Sequence, residues 1–269
     1  MKAPIADRRR QSPRNDVVDD APPEEDVFAE MTLQEHLEEL RKRIIRSSLA
    51  ILVGVVVGIF TAFRVISAVA DQAGVDTKTL QIISPTEPFT VYFKVVLYIA
   101  IAFAMPVLVY QLLQFVSPGL TRRERRAVIA AVPFVMVMFV LGVLFAFFVL
   151  APRALEFLST FGSSYFEWNP RAEEVISFYM RLMIGVGIVF ELPVVMFALA
   201  RIGAVTYKQF ARVRKFAFLL GMVAAAIITP TPDPFNMMLV GIPIYALYEI
   251  GILMARLARP LKPDRARSE

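Results

Sequence analysis

The chain has 269 residues, 57% of them apolar and 20% charged, with a net charge of +5, no cysteine and one histidine, His36. Without cysteine there is no disulfide, thiolate nucleophile or iron–sulfur centre, and one histidine excludes a multi-histidine metal site. The apolar residues fall in runs too long for a soluble core, and the basic residues flank those runs, which reads as membrane topology and not as nucleic-acid binding.

Residues 1–30 are rich in Pro, Asp, Glu and Arg. They bury too little apolar surface to order themselves and are expected to form a disordered cytoplasmic tail. The basic stretch "RRRQS" is followed by an apolar run only more than 30 residues later, so no cleavable leader is expected. Next comes "MTLQEHLEELRKR". Thr32 and Glu35 have capping-box spacing, and Leu33, Leu37, Leu40 and Ile44 recur at helical intervals. The pattern predicts an amphipathic helix lying at the membrane surface and feeding the first span.

Six spans are predicted, at 44–63, 89–115, 127–151, 175–200, 216–229 and 236–255. They make an all-α polytopic membrane domain over 31–256, followed by a cytoplasmic tail at 257–269. "GVVVG" in the first span has the small-xxx-small spacing of close helix packing. The fifth span offers about 14 residues, roughly 21 Å at 1.5 Å rise, short of a hydrocarbon core. It ends in "TPTPDPF", whose prolines forbid helix continuation and force a tight hairpin into the sixth span. Pro106, Pro133, Pro193 and Pro243 interrupt other spans and predict kinks. Lys and Arg alternate between connections: nine through Arg46, two in 64–88, four in 116–126, two in 152–174, five in 201–215, none in 230–235 and five from Arg256 to the end. Basic segments stay cytoplasmic, so both termini are expected inside.

Within "VFELPV" an ionisable residue, Glu191, lies in an apolar span. Its bland reading is an ion pair with a neighbouring span, for example with Lys94 or Arg181. Arg181 lies ten residues away on the same helix, about 15 Å along the axis, which excludes a direct intrahelical pair. Its functional reading is a carboxyl facing a cavity that admits a guest. Glu38 and Glu39 precede Lys42 and Arg43 at i,i+4 spacing, which is enough to explain them as surface pairs worth about 0.2–0.5 kcal/mol each. Glu124 is a lone acid among four arginines in "TRRERRA", and on its own reads as a screened surface charge. Phe115 reads as an interfacial aromatic, and Asp233 as a turn residue accepting backbone N–H groups. No P-loop, dinucleotide loop, metal cluster or Ser–His dyad is present in the sequence, so neither an enzyme nor a cofactor is expected. A proton-coupled secondary solute transporter using Glu191 is the alternative. It would call for an inverted repeat and a second midplane acid, for which Glu249 is a candidate.

Taken together, "EHLEELRKRI", "YQLLQFVSPGLTRRERR", "VFELPV", "TPTPDPF" and "YEIG", in this order over residues 31–256, resemble the TatC family. The resemblance implies a glove-shaped six-helix bundle that receives paired-arginine signal peptides. It implies transport of folded proteins with TatA- and TatB-type single-span partners in a bacterial-type cytoplasmic membrane, self-association, and energy from the transmembrane potential, the proton gradient or partner assembly. Carried over by motif, Glu39, Glu124, Phe115 and Arg41 would bind the signal peptide, and Glu191 would be the intramembrane glutamate. Asp233 and Thr229 would belong to the outer hairpin and the partner-helix contact. The chain departs from some members in Met237, which replaces a glutamine, in the longer "TPTPDP", and in a first outer loop without proline.

Overall fold

The computed structural model describes residues 33–75, 80–115, 122–165, 167–201, 203–229 and 233–258, excluding the side chains of 33–36, 113–115, 122–128 and 131. The expected tail 1–30 lies outside the described residues, as does the C-terminal tail beyond Ala258. Helix α1 spans Leu33–Gln72 and α2 spans Glu87–Phe115. Helix α3 (Arg122–Phe145) passes through a π turn at Ala146–Leu150 into α4 (Ala151–Thr160). Then follow α5 (Ala172–Phe190), α6 (Leu192–Arg201), α7 (Tyr207–Arg212), α8 (Arg214–Ile228) and α9 (Pro234–Leu257). There is no β-strand among the described residues.

Five stretches are long and apolar enough to cross a bilayer: Leu37–Gln72, Glu87–Leu112, Val132–Thr160, Ala172–Arg201 and Pro234–Leu257. Helix α8, at the place of the predicted fifth span, is shorter, 15 residues or about 22 Å at 1.5 Å rise. Large apolar side chains point outward along the spans, among them Phe60, Phe63, Phe134, Leu220 and Ile227, as a bilayer solvent allows.

The chain shuttles between two ends of the bundle. At the near end, the start of α1 meets the end of α2 through Arg43 and Gln111, and the start of α8 meets the end of α9 through Arg214 and Glu249. At the far end, the connection before α2 pairs with the one before α5 in a bridge between Gln81 and Arg171, and Phe157 at the end of α4 stacks on Phe235 at the start of α9. The main core lies between them, where Val69, Val95, Leu150, Tyr179, Leu182 and Val240 are buried together.

One expectation changes. The polar turns at 33–43 are not a separate helix in the membrane plane. Helix α1 runs unbroken for 40 residues, about 60 Å. No Pro or Gly stands between Glu35 and Gly54 to bend it, and the pairs Glu38–Lys42 (2.8 Å) and Glu39–Arg43 continue the helical register into the apolar run. Pro106, Pro133 and Pro243 do not end their helices. Pro193 does coincide with an interruption, because it offers no N–H to the Val189 carbonyl one turn earlier. Pro152 acts similarly on Phe148, and the π turn just before it re-spaces the ladder so that the Ala151 N–H reaches the Ala146 carbonyl.

Close packing comes from glycines. A Cβ on Gly54 would stand 2.6 Å from the Ala100 carbonyl oxygen, and one on Gly58 would stand 2.8 Å from that of Val96. The "GVVVG" spacing is therefore the α1–α2 contact. Gly142 and Gly187 do the same for α3 and α5, where a Cβ on Gly142 would lie 2.8 Å from the Gly187 Cα.

Candidate functional site: two carboxylates and the near end

The near end gathers the first turns of α1, the last turn of α2 and the first turn of α3, because only 116–121 separate the latter two. Glu39 and Arg43 lie one turn apart on the α1 face that meets α2, with side chains 21% and 12% exposed, whereas Glu38 and Lys42 on the opposite face are 63% and 64% exposed. Arg43 donates to one Glu39 carboxylate oxygen and, at 3.4 Å, to the Gln111 side chain of α2. The second Glu39 oxygen, Oε2, is buried and accepts no hydrogen bond among the described residues. The bland reading of two equivalent surface pairs therefore holds for Glu38 and not for Glu39. Arg41 is exposed on α1. Phe115 and Glu124 stand on helical backbone at this end, and their side chains lie outside the described residues.

Glu191 occupies the single residue between α5 and α6. Glu191 is 4% exposed, and neither carboxyl oxygen has a hydrogen-bond partner among the described residues. The ion pairs considered for it go elsewhere: Lys94 binds Glu173, and the Arg181 Nε donates to the Ser177 carbonyl at 3.2 Å. Apolar groups pack against the adjoining turns, with Val194 against Met105, Val109, Val135 and Phe139, and Gly187 against Phe139. The close approach of Gly142 on α3 to Gly187 on α5 lies about one turn from it. A buried polar group without a partner costs about 1–3 kcal/mol, more if charged.

The remaining candidate residues make contacts within the fold. Asp233 caps α9, accepting from the Asn236 N–H at 2.8 Å and from the Asn236 side-chain amide at 2.9 Å. Thr229 ends α8, is buried, and its hydroxyl donates back to the Ala225 carbonyl at 2.9 Å, so it faces its own helix. Glu249 is held by Arg214 at 3.0 Å and by the Tyr245 hydroxyl at 2.8 Å. It belongs to the near end, not to a midplane pair with Glu191.

A family model for the Sec-independent protein translocase protein TatC matches residues 35–243. That range is most of the chain. The chain belongs to the TatC family. A TatC of Carboxydothermus hydrogenoformans is 34% identical over 230 residues, covering 86% of this chain and 95% of its own length. One of Helicobacter pylori is 36% identical over 232 residues, covering 86% and 90%. A crystal structure of the twin-arginine translocase receptor TatC superposes with a TM-score of 0.73 at 36% identity, covering 83% of this chain and 99% of that one. The protein is thus a multi-pass membrane component of the twin-arginine protein translocase.

The motif reading of a TatC chain did not single out Glu87 at the far end. Glu87, in the first turn of α2, is buried. One of its oxygens accepts from the Ile83 N–H at 2.9 Å and the Ser84 N–H at 3.3 Å. The other accepts from the Glu173 N–H at the start of α5 at 3.3 Å, and Arg171 lies 3.6 Å from the first. The Ser84-x-x-Glu87 spacing is a capping-box signal that could have found the local half of this arrangement. The half contributed by α5 crosses 86 residues and has no local signature.

Proposed function

We propose that this chain is the receptor and core component of the translocase, with its near end in the cytoplasm and both termini there, in a bacterial-type cytoplasmic membrane. The near end binds paired-arginine signal peptides. Guanidinium groups are planar and always charged, and a carboxylate takes them in bidentate, charge-assisted hydrogen bonds that lysine cannot reproduce. Glu39 and Glu124 supply those carboxylates, Phe115 packs beside them, and Arg41 keeps the approach basic enough to disfavour other cations. The observation that carries this reading is the Glu39 carboxylate, with one oxygen held by Arg43 and the other buried without a partner among the described residues. Arg43 holds the acid ready, and an incoming guanidinium supplies what the second oxygen lacks.

The apolar part of the signal lodges along the wall that contains Glu191, beside the α3–α5 glycine contact. At the far end, the α8–α9 hairpin shaped by Asp233 and Thr229 presents Ile227 and Phe235, both exposed, to the transmembrane helices of TatA- and TatB-type partners. Thr229 serves there by shaping the hairpin. Copies of the chain self-associate. Transport needs no cofactor and no covalent catalysis by this chain, and draws on the membrane potential, the proton gradient or partner assembly.

The test is crosslinking of a signal peptide to the purified full chain. A twin-arginine peptide is expected to crosslink and a twin-lysine version to do so at least ten-fold less. Glu39→Ala with Glu124→Ala should remove the difference. Equal capture of both peptides by the unaltered chain contradicts the assignment.

A further inference from the structure

A cavity of 680 Å³ lies between α2 and α5, away from both carboxylate sites. Its lining is ordered by depth. Glu173 and Glu174 stand at its far-end rim, in the first turn of α5. Arg181 follows seven residues later on α5, about 10 Å deeper, and Lys94 stands seven residues into α2. Deeper still, the α2 wall is apolar, formed by Leu97 and Ile101, which are both exposed outward. Acids at the rim, where Arg171 and the Lys94 ammonium pair with them, Arg181 below and an apolar floor follow the order of an aminophospholipid: ammonium, phosphate, acyl chain.

The charges favour a zwitterion. Lys94 pairs with Glu173, and Arg171 pairs with Glu174 at 3.2 Å and approaches Glu87. Arg181 is exposed, donates to the Ser177 carbonyl, and has no carboxylate within ion-pair distance among the described residues. An arginine that far along an apolar span is costly unless its head reaches an anion. Three cations (Lys94, Arg171, Arg181) face three acids (Glu87, Glu173, Glu174), so the cluster is neutral. A net-neutral headgroup keeps it neutral, whereas an anionic lipid leaves one uncompensated negative charge.

We infer that this cavity is a binding site for an aminophospholipid of the phosphatidylethanolamine class, its phosphate on Arg181 and Lys94 and its ammonium on Glu174. The site is independent of signal-peptide recognition and of which leaflet the far end occupies.

Delipidated full chain in detergent is titrated with dioleoyl phosphatidylethanolamine, dioleoyl phosphatidylglycerol and free phosphoethanolamine, and retained adducts are counted by native mass spectrometry. Phosphatidylethanolamine should be retained at least five-fold more than phosphatidylglycerol, and phosphoethanolamine should not compete. Arg181→Gln should abolish the retained adduct, Arg181→Lys should keep most of it, and Glu174→Gln should remove the preference between the two lipids. Emission of Trp168, the sole tryptophan, beside a neighbouring cavity that shares Glu174 and Arg181, should shift with the same lipid preference and report an intact fold. Equal retention of both lipids, undiminished retention in Arg181→Gln, or competition by phosphoethanolamine overturns the inference.

Discussion

A carboxylate is characterised by what its two oxygens touch, and three glutamates of this chain differ on that point. Glu87 has both oxygens filled by N–H donors and an arginine nearby, so it fastens the far end. Glu39 has one oxygen filled, and Glu191 neither, among the described residues. Glu87→Ala should therefore destabilise by about 1–3 kcal/mol, read as a lowered Tm of the purified chain, because it strands N–H groups on two elements. Glu191 predicts the reverse. Glu191→Leu should leave the Tm unchanged or raised while transport falls at least ten-fold, and Glu191→Gln should keep most of the transport. Equal transport by the Leu and Gln variants, or a Tm loss in the Leu variant matching the transport loss, contradicts a polar role. Sequence spacing revealed the Glu39–Arg43 pair and the Asp233 cap, because both partners lie within one helical turn. It could not reveal that Lys94 joins Glu173, which stands 79 residues away.

At the scale of elements, glycine and proline set where helices approach and where they break. A side chain on Gly54 must displace the backbone of α2, since its Cβ alone would stand 2.6 Å from a carbonyl oxygen. Gly54→Leu should cost about 1–3 kcal/mol, as overpacking does, and more if α1 separates from α2. Val56→Leu, at an exposed position of the same helix, should leave the Tm within experimental scatter. Similar losses in both variants would mean that the α1–α2 contact is not what these glycines provide. The apolar runs and the short α8 were legible because hydrocarbon thickness imposes length on sequence. The union of the polar turns with the first span was not, since helical periodicity looks the same whether the helix lies in the membrane plane or rises from it. Whether a proline ends a helix depends on what satisfies the freed carbonyl, and that is a tertiary property; hence Pro193 breaks its helix and Pro243 does not.

At the scale of the whole molecule, the alternation of basic connections predicts which end meets the cytoplasm, and the helices place those connections at the near end. The chain has no cysteine, so single cysteines report cleanly. In intact cells, a membrane-impermeant maleimide should label Ser163→Cys, in the far-end turn after α4, and should label Lys208→Cys on α7 only after lysis. The opposite pattern would invert the proposed topology. The fold was legible as a count of spans and an order of motifs. The burial of the second Glu39 oxygen was not, because it arises where two helices distant in sequence exclude water from one side of a carboxylate.

The most direct test of paired-arginine recognition is a double-mutant cycle between the chain and its peptide, replacing Glu39 by Gln and, in turn, each signal arginine by Lys, with affinities measured for the full chain in detergent. One arginine should show a coupling energy to Glu39 of about 2 kcal/mol, close to a thirty-fold effect on affinity. Additive losses at both arginines, with no coupling beyond experimental error, would contradict direct contact between this carboxylate and the signal.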